Sequence, residues 1–79
     1  MFAELIKQNV RDLNKLKRVK GSEMTTQVIQ KQIDNALKWR KFAARKELST
    51  TERKHYYERA INHTSFIAEL IIDGMKQSV

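Results

Sequence analysis

The stretch Leu48-Ser49-Thr50-Thr51-Glu52 decides where the longest helix of this chain begins. The spacing of its serine and its glutamate is that of a capping box, in which both side chains accept hydrogen bonds from backbone N–H groups that a helix leaves unpaired. We therefore predict a helix from about residue 50 to about residue 76. Its core positions recur every three or four residues. They are Tyr56, Tyr57, Ala60, Ile61, Thr64, Ile67, Ala68, Ile71 and Met75.

The segment before this boundary is apolar around more than half of its circumference when it is drawn as a helix. This pattern predicts a second helix from about residue 26 to about residue 46, packed between two neighbours. Its apolar positions are Met24, Val28, Ile29, Ile33, Ala36, Leu37, Trp39, Phe42, Ala43 and Ala44.

A narrower apolar stripe at the start of the chain predicts the first helix, from about residue 2 to about residue 20. Gly21 is expected to end this helix because glycine readily adopts the left-handed conformation of a helix C-terminus. Ser22, Thr25 and Thr26 are candidate N-caps for the second helix. The stripe consists of Phe2, Leu5, Ile6, Val10, Leu13 and Leu16.

The fold class that these patterns predict is all-α. The chain has no proline and only two glycines, and its 41% hydrophobic and 32% charged residues are typical of a helical bundle. We expect one domain spanning residues 1–79, arranged as an antiparallel three-helix bundle or as an extended helical hairpin plus a helix. A core of this size is thin, and with no cysteine for disulfides we expect the protein to self-associate.

The last helix carries a candidate interface for a homodimer or a higher oligomer. Phe66 lies on its polar side, and with Leu70 and Ile72 it makes this part of the helix apolar nearly all round. A helix end of that kind is expected to be buried by a second subunit. We therefore predict that the C-terminal half of helix 3 projects from the bundle into the oligomer.

Positive charge is concentrated in the first two helices. Residues 1–46 contain 12 lysines and arginines against four acidic residues, whereas residues 47–79 contain four against five. If consecutive helices run antiparallel, the end of helix 2 and the start of helix 3 bring six cations to one pole. These are Lys38, Lys41, Arg45, Lys46, Arg53 and Lys54, and a second group near Gly21 lies at the opposite pole.

Such a pole fits nucleic acid, because lysine and arginine displace condensed counterions from phosphates without requiring a defined motif. Trp39, Tyr56 or Tyr57 would add stacking. An acidic protein surface and plain solvation of a thin bundle are the alternatives. A helix-turn-helix is a minority interpretation, because helix 2 is long and the connection lacks glycine. Binding of the amphipathic helix 1 to a membrane surface is another.

No residue pattern supports catalysis, a metal site or a cofactor. The two histidines, His55 and His63, are eight residues apart rather than three or four, and no nucleophile and base are paired in the sequence. The densest apolar stretch, residues 66–72, is far shorter than the roughly 20 residues that cross a bilayer. With no signal peptide pattern and no cysteine, we expect a cytoplasmic protein without a membrane span.

Residues 47–60 resemble the start of the last long helix in the Hha/YmoA family of small nucleoid-modulating proteins. The likeness rests on Glu47-Leu48-Ser49, Glu52, Tyr56-Tyr57 and Ala60. The second helix is much longer here than in that family, and the sequence after Ala60 differs. No site residue is therefore carried over, and the chain is not assigned to the family.

The function that the sequence favours is that of a small, basic, non-enzymatic regulatory or accessory protein. It would bind nucleic acid or an acidic partner surface through its lysine and arginine clusters. The competing hypothesis is a protein inhibitor or adaptor of the kind that phages and mobile elements encode, acting on a host enzyme without nucleic acid. DNA, RNA and protein targets are not separated by the sequence.

Overall fold

A computed structural model of the chain describes residues 1–77 and contains three helices. They are α1 (Phe2–Lys17), α2 (Glu23–Ala43) and α3 (Thr50–Gln77), and no strand occurs in this part of the chain. The predicted all-α class is confirmed. The molecule is a narrow helical bundle with principal dimensions of 46 × 17 × 15 Å.

The first two helices end earlier than the sequence predicts, at Lys17 and Ala43 rather than near residues 20 and 46. Both last turns tighten, so that backbone N–H groups bond to carbonyls three residues back. Such bonds join Arg18 to Lys15 at the end of α1, and Ala44 to Lys41 at the end of α2. Each helix therefore ends before the apolar periodicity of its sequence does.

The connection between α1 and α2 is short because Gly21 and Ser22 turn the chain at once. Gly21 has a φ of +85°, the left-handed conformation in which glycine carries no steric penalty. The Ser22 hydroxyl donates to the carbonyl oxygen of Leu16 over 2.8 Å, which satisfies a backbone acceptor at the end of α1. Helix α2 therefore begins at Glu23, earlier than the predicted residue 26.

The hydrogen bonds of the capping box are present at the start of α3. The Glu52 backbone N–H donates to Ser49 Oγ over 3.2 Å, and the Ser49 N–H donates to Glu52 Oε1 over 3.4 Å. The Ser49 hydroxyl also donates to this carboxylate oxygen over 3.0 Å. Thr50 is the first residue of α3, as the spacing predicts.

All three helices contribute to one core, and α3 contacts both of the others. Arg53 bonds to Ala43 where α2 and α3 are joined, and Gln32 meets His63 halfway along them. In α1, the buried Asn9 donates from Nδ2 to the Thr64 carbonyl over 3.3 Å. The core is made of Phe2, Leu13, Leu16, Ile29, Ile33, Ala36, Ala60, Ile67 and Ile71.

The prediction that the C-terminal half of α3 projects from the bundle is wrong. Ile67, Ile71 and Gly74 are buried within the chain itself. Gly74 makes this possible, since a Cβ placed there would lie only 2.9 Å from Leu16 Cδ2 and 3.1 Å from Thr25 Cγ2. The missing side chain lets α3 lie against both other helices, and we call this region, around Leu16, Thr25 and Gly74, the Gly74 end.

None of the helices in residues 1–77 is long and apolar enough to cross a membrane.

Candidate functional site

The six cations predicted as a binding patch lie near the end of α2 and the start of α3, and all are exposed. Two belong to the last turns of α2, two to the connection of residues 44–49, and two to the first turns of α3. We call this region, residues 38–54 with the rings beside it, the basic end. The cations are Lys38, Lys41, Arg45, Lys46, Arg53 and Lys54.

One of these cations, Arg53, also stabilises the connection between α2 and α3. The Arg53 Nε–H donates to the Ala43 carbonyl over 3.1 Å. This carbonyl belongs to the last residue of α2, where backbone acceptors lack partners within the helix. The guanidinium therefore spans the connection and holds the two helix ends together, while the other five cations have no such bond among the described contacts.

Four of the six cations line three separate clefts, so the set does not share one face. Lys38 lines a cleft formed by residues of α2, with a volume of about 270 Å³. Lys41 lines a groove between α1 and α2, where Lys7 adds another cation. Arg53 and Lys54 line a third cleft, of about 450 Å³, together with Arg40. Positive charge therefore surrounds the basic end rather than forming a single flat patch.

Three aromatic rings form a cluster on this end. Trp39 and Tyr56 are stacked, with ring centroids 5.7 Å apart and planes inclined by only 15°. Phe42 lies 6.1 Å from Trp39 and 5.7 Å from Tyr56. Sequence periodicity assigns Phe42 to the core, but its side chain is 36% exposed, while the other two rings are half-buried. The cluster is therefore open to solvent at Phe42.

Arginine guanidinium groups cover the outer sides of this cluster. Arg45 Cζ lies 4.3 Å from the Phe42 ring centroid, and Arg59 Cζ lies 4.5 Å from that of Trp39. Nearby, Arg40 Cζ lies 5.1 Å from the Tyr57 ring. These distances are those of cation–π contacts. Arg40 and Arg59 are absent from the predicted site, and the signal for Arg59 is its position one helical turn after Tyr56.

The three residues predicted to hold an oligomer together do not form one patch. Phe66 is 45% exposed, with its ring 5.5 Å from that of His63 on the side of α3 nearer α2. Leu70 is half-buried and packs against the core. Ile72 is 53% exposed and lines a groove with Asp12 on the α1 side. The rotation of 100° per residue separates Ile72 from the other two.

The histidines have different surroundings. His63 is half-buried, and its Nε2–H donates to Gln32 Oε1 over 2.9 Å in the tautomer protonated at that nitrogen. Burial lowers the pKa of His63 below its ordinary value of 6.5, and the contact with Gln32 opposes part of this shift. His55 is exposed and its ring lies edge-on to Tyr56 at 5.8 Å. Residues 1–77 contain no group of three side chains suited to a metal ion.

No protein-family model, curated protein or solved structure matches this chain at a significant level. The resemblance of residues 47–60 to the Hha/YmoA proteins therefore gains no support from these comparisons.

Proposed function

We propose that this protein is a non-enzymatic accessory or regulatory protein that binds nucleic acid through its basic end. The observation that carries the proposal is the presence of exposed cations and a solvent-open aromatic cluster on the same end of a narrow bundle. Cations bind phosphates of any sequence, and rings stack on bases of any sequence. Binding would therefore be tolerant of sequence.

The charge of the whole chain favours the same partner. A net charge of +7 on 79 residues produces a positive potential that accelerates encounter with polyanions. The cations lie around the basic end rather than in a single cleft, which suits an extended polyanion better than a small anion. A compact ligand would instead require several of these side chains to converge on one point.

In the arrangement we propose, the three helices form an antiparallel bundle and the protein works in the cytoplasm. We also propose that it self-associates, as a homodimer or a higher oligomer, through the side of α3 that exposes Phe66. An exposed phenylalanine beside a half-buried histidine gives a partner copy an apolar contact away from the basic end. Light scattering on the purified protein measures this, and a monomer mass would remove self-association from the proposal.

The test of nucleic-acid binding compares two charge-matched double variants. Lys38→Gln/Lys41→Gln removes two cations from the basic end, and Lys15→Gln/Lys17→Gln removes two from the end of α1. Fluorescence anisotropy with a labelled DNA strand and its duplex, between about 50 and 200 mM salt, gives the slope of log K against log salt. We expect the first variant to bind more weakly and to lose about one unit of slope per lysine.

The second variant should bind nearly as the parent protein does because its basic end is intact, and its net charge equals that of the first variant, so total charge cannot explain a difference between the two. Equal weakening by both variants would mean that only total charge matters. No binding of the parent protein to either DNA or RNA at low salt would overturn the proposal.

The second candidate is a protein inhibitor or adaptor that needs no nucleic acid. The observation in its favour is the exposed apolar surface away from the basic end, including Ile72 and the apolar groove of about 460 Å³ that it lines with Ala68 and Asp12. An apolar protein interface should change little with salt, whereas phosphate binding weakens steeply. An acidic protein surface meeting the basic end would give an intermediate dependence on salt.

A further inference from the structure

The cleft formed by α2 residues around Lys38 brings together an amide, a cation and aromatic rings. It is lined by Asn35, Lys38, Trp39 and Phe42 and has a volume of about 270 Å³. The amide of Asn35 and the ammonium of Lys38 are exposed, and Phe42 is the most open ring of the aromatic cluster. An amide, a cation and two rings therefore meet at one site that the solvent reaches.

We propose that this cleft binds one unstacked base of a single-stranded nucleic acid. The inference rests on the proposed function and narrows its ligand from nucleic acid in general to the single-stranded form. Single strands are recognised where a free base stacks on an aromatic ring, where polar side chains reach its edge, and where cations follow the backbone. Phe42, Asn35 and Lys38 respectively supply these three groups.

The amide of Asn35 suits a base edge because it carries both a donor and an acceptor. Since the amide can present either group, the cleft is expected to accept different bases rather than to select one. Lys38 has three donors and no acceptor, which suits a phosphate oxygen next to the base. Lys38 is exposed, so its ammonium group can reach a phosphate without leaving a buried position.

The arrangement of the rings identifies Phe42 as the stacking residue. Trp39 and Tyr56 lie face to face and are half-buried, so their contact serves the packing of α2 against α3. Phe42 is inclined by 42° to Trp39 and by 32° to Tyr56, and it stays more exposed than either. Arg45 lies over its ring, and a guanidinium plane is itself a surface on which bases stack.

A base in a duplex is stacked on both faces and paired at its edge, so this cleft would not reach it. The base must first leave the stack, which costs a few kcal/mol in a duplex and much less in a single strand. We therefore expect the protein to bind a single strand more tightly than the duplex of the same length at equal salt, although the duplex carries more charge.

The experiment compares an oligothymidine strand with an abasic strand of the same length, which keeps the phosphates and lacks the bases. The parent protein should bind the thymidine strand at least about fivefold more tightly, as expected for one stacked base. Phe42→Leu keeps an apolar side chain but removes the ring, and it should abolish this preference while leaving affinity for the abasic strand unchanged. Trp39, the single tryptophan, provides an internal fluorescence signal beside the cleft.

The matched control is Phe66→Leu, which makes the same change at an exposed phenylalanine of α3 outside the cleft. Measured at a concentration where light scattering gives it the same mass as the parent protein, it should keep the full preference for thymidine over the abasic strand. Equal binding of both strands by the parent protein, or an undiminished preference in Phe42→Leu, would overturn the inference and leave the proposed function standing. Failure to bind these strands and also the duplex at low salt would overturn both.

Discussion

The Gly74 end and the basic end of this bundle are stabilised in opposite ways. At the Gly74 end Leu16 is fully buried, and the missing side chain of Gly74 lets α3 lie against α1 and α2. At the basic end, hydrogen bonds of the capping box and of Arg53 hold the connection, and aromatic rings and cations remain at the surface. Close packing around Gly74 holds one end, although Met24 and Ile72 nearby stay exposed, whereas hydrogen bonds hold the other end, where Phe42 stays exposed.

This contrast explains why a thin bundle can still expose an aromatic cluster. Exposed rings contribute less to folding than buried ones, because burial of apolar area provides most of the stabilising free energy. A well-packed region elsewhere in the bundle must therefore supply most of the stabilising free energy. If the contrast is correct, substitutions of buried apolar residues at the Gly74 end should change stability, whereas substitutions of the exposed ring and cations at the basic end should mainly change binding.

The largest effect is expected from Leu16→Ala at the Gly74 end. Removing a fully buried leucine side chain creates a cavity and should lower the free energy of unfolding by about 2–5 kcal/mol. The matched substitution at the basic end, Phe42→Ala, also truncates an apolar side chain to alanine, and it should cost less because the Phe42 side chain is already 36% exposed. Urea unfolding followed by circular dichroism measures both values. Equal losses would mean that the two ends do not differ in packing.

An intermediate effect is expected at the capping box of the basic end. Ser49→Ala removes the hydroxyl that accepts the Glu52 N–H and should cost about 1 kcal/mol. The control is Ser65→Ala, an exposed serine inside α3, where alanine is the better helix former and no loss is expected. A Ser49→Ala protein as thermally stable as its parent would show that this end depends on something other than its hydrogen bonds.

The two ends also differ in how much of their structure the sequence predicts. Helix count, the start of α3 and the placement of the six cations follow from local signals, namely periodicity, capping chemistry and charge. The close approach at Gly74 and the exposure of Phe42 depend on how the helices pack. Periodicity defines an apolar arc, but the neighbouring helix decides which edge of the arc it covers. Phe42 therefore looks like a core residue in the sequence.

The sequence does not predict the contact of Arg59 with Trp39 either, for a related reason. The two residues belong to different helices, and their contact depends on the register between α2 and α3. Sequence spacing within α3 places Arg59 beside Tyr56, but it does not show which residue of α2 Arg59 faces. The separation of Phe66 from Ile72, by contrast, follows from the rotation of 100° per residue within α3, and only the helix that each of them faces depends on packing.

The smallest effect is expected from His63, which lies between the two ends and bonds to Gln32. Its pKa is lowered in the folded protein by burial, so the unfolded chain binds more protons at pH values just below 6.5. Stability should therefore fall as the pH drops below about 6.5, and should level off once the folded protein is protonated too. Above that range the imidazole is neutral in both states and should contribute no pH dependence.

His63→Gln tests this expectation, because the amide retains a partner for Gln32 and does not titrate. Thermal unfolding midpoints between about pH 5 and pH 8 should show a shallower acid limb in this variant than in the parent protein. An identical acid limb would assign the loss of stability to the carboxylates. Because His63 adjoins neither Leu16 nor Phe42 among the described contacts, lowering the pH should weaken the middle of the bundle without changing which end is packed and which is open.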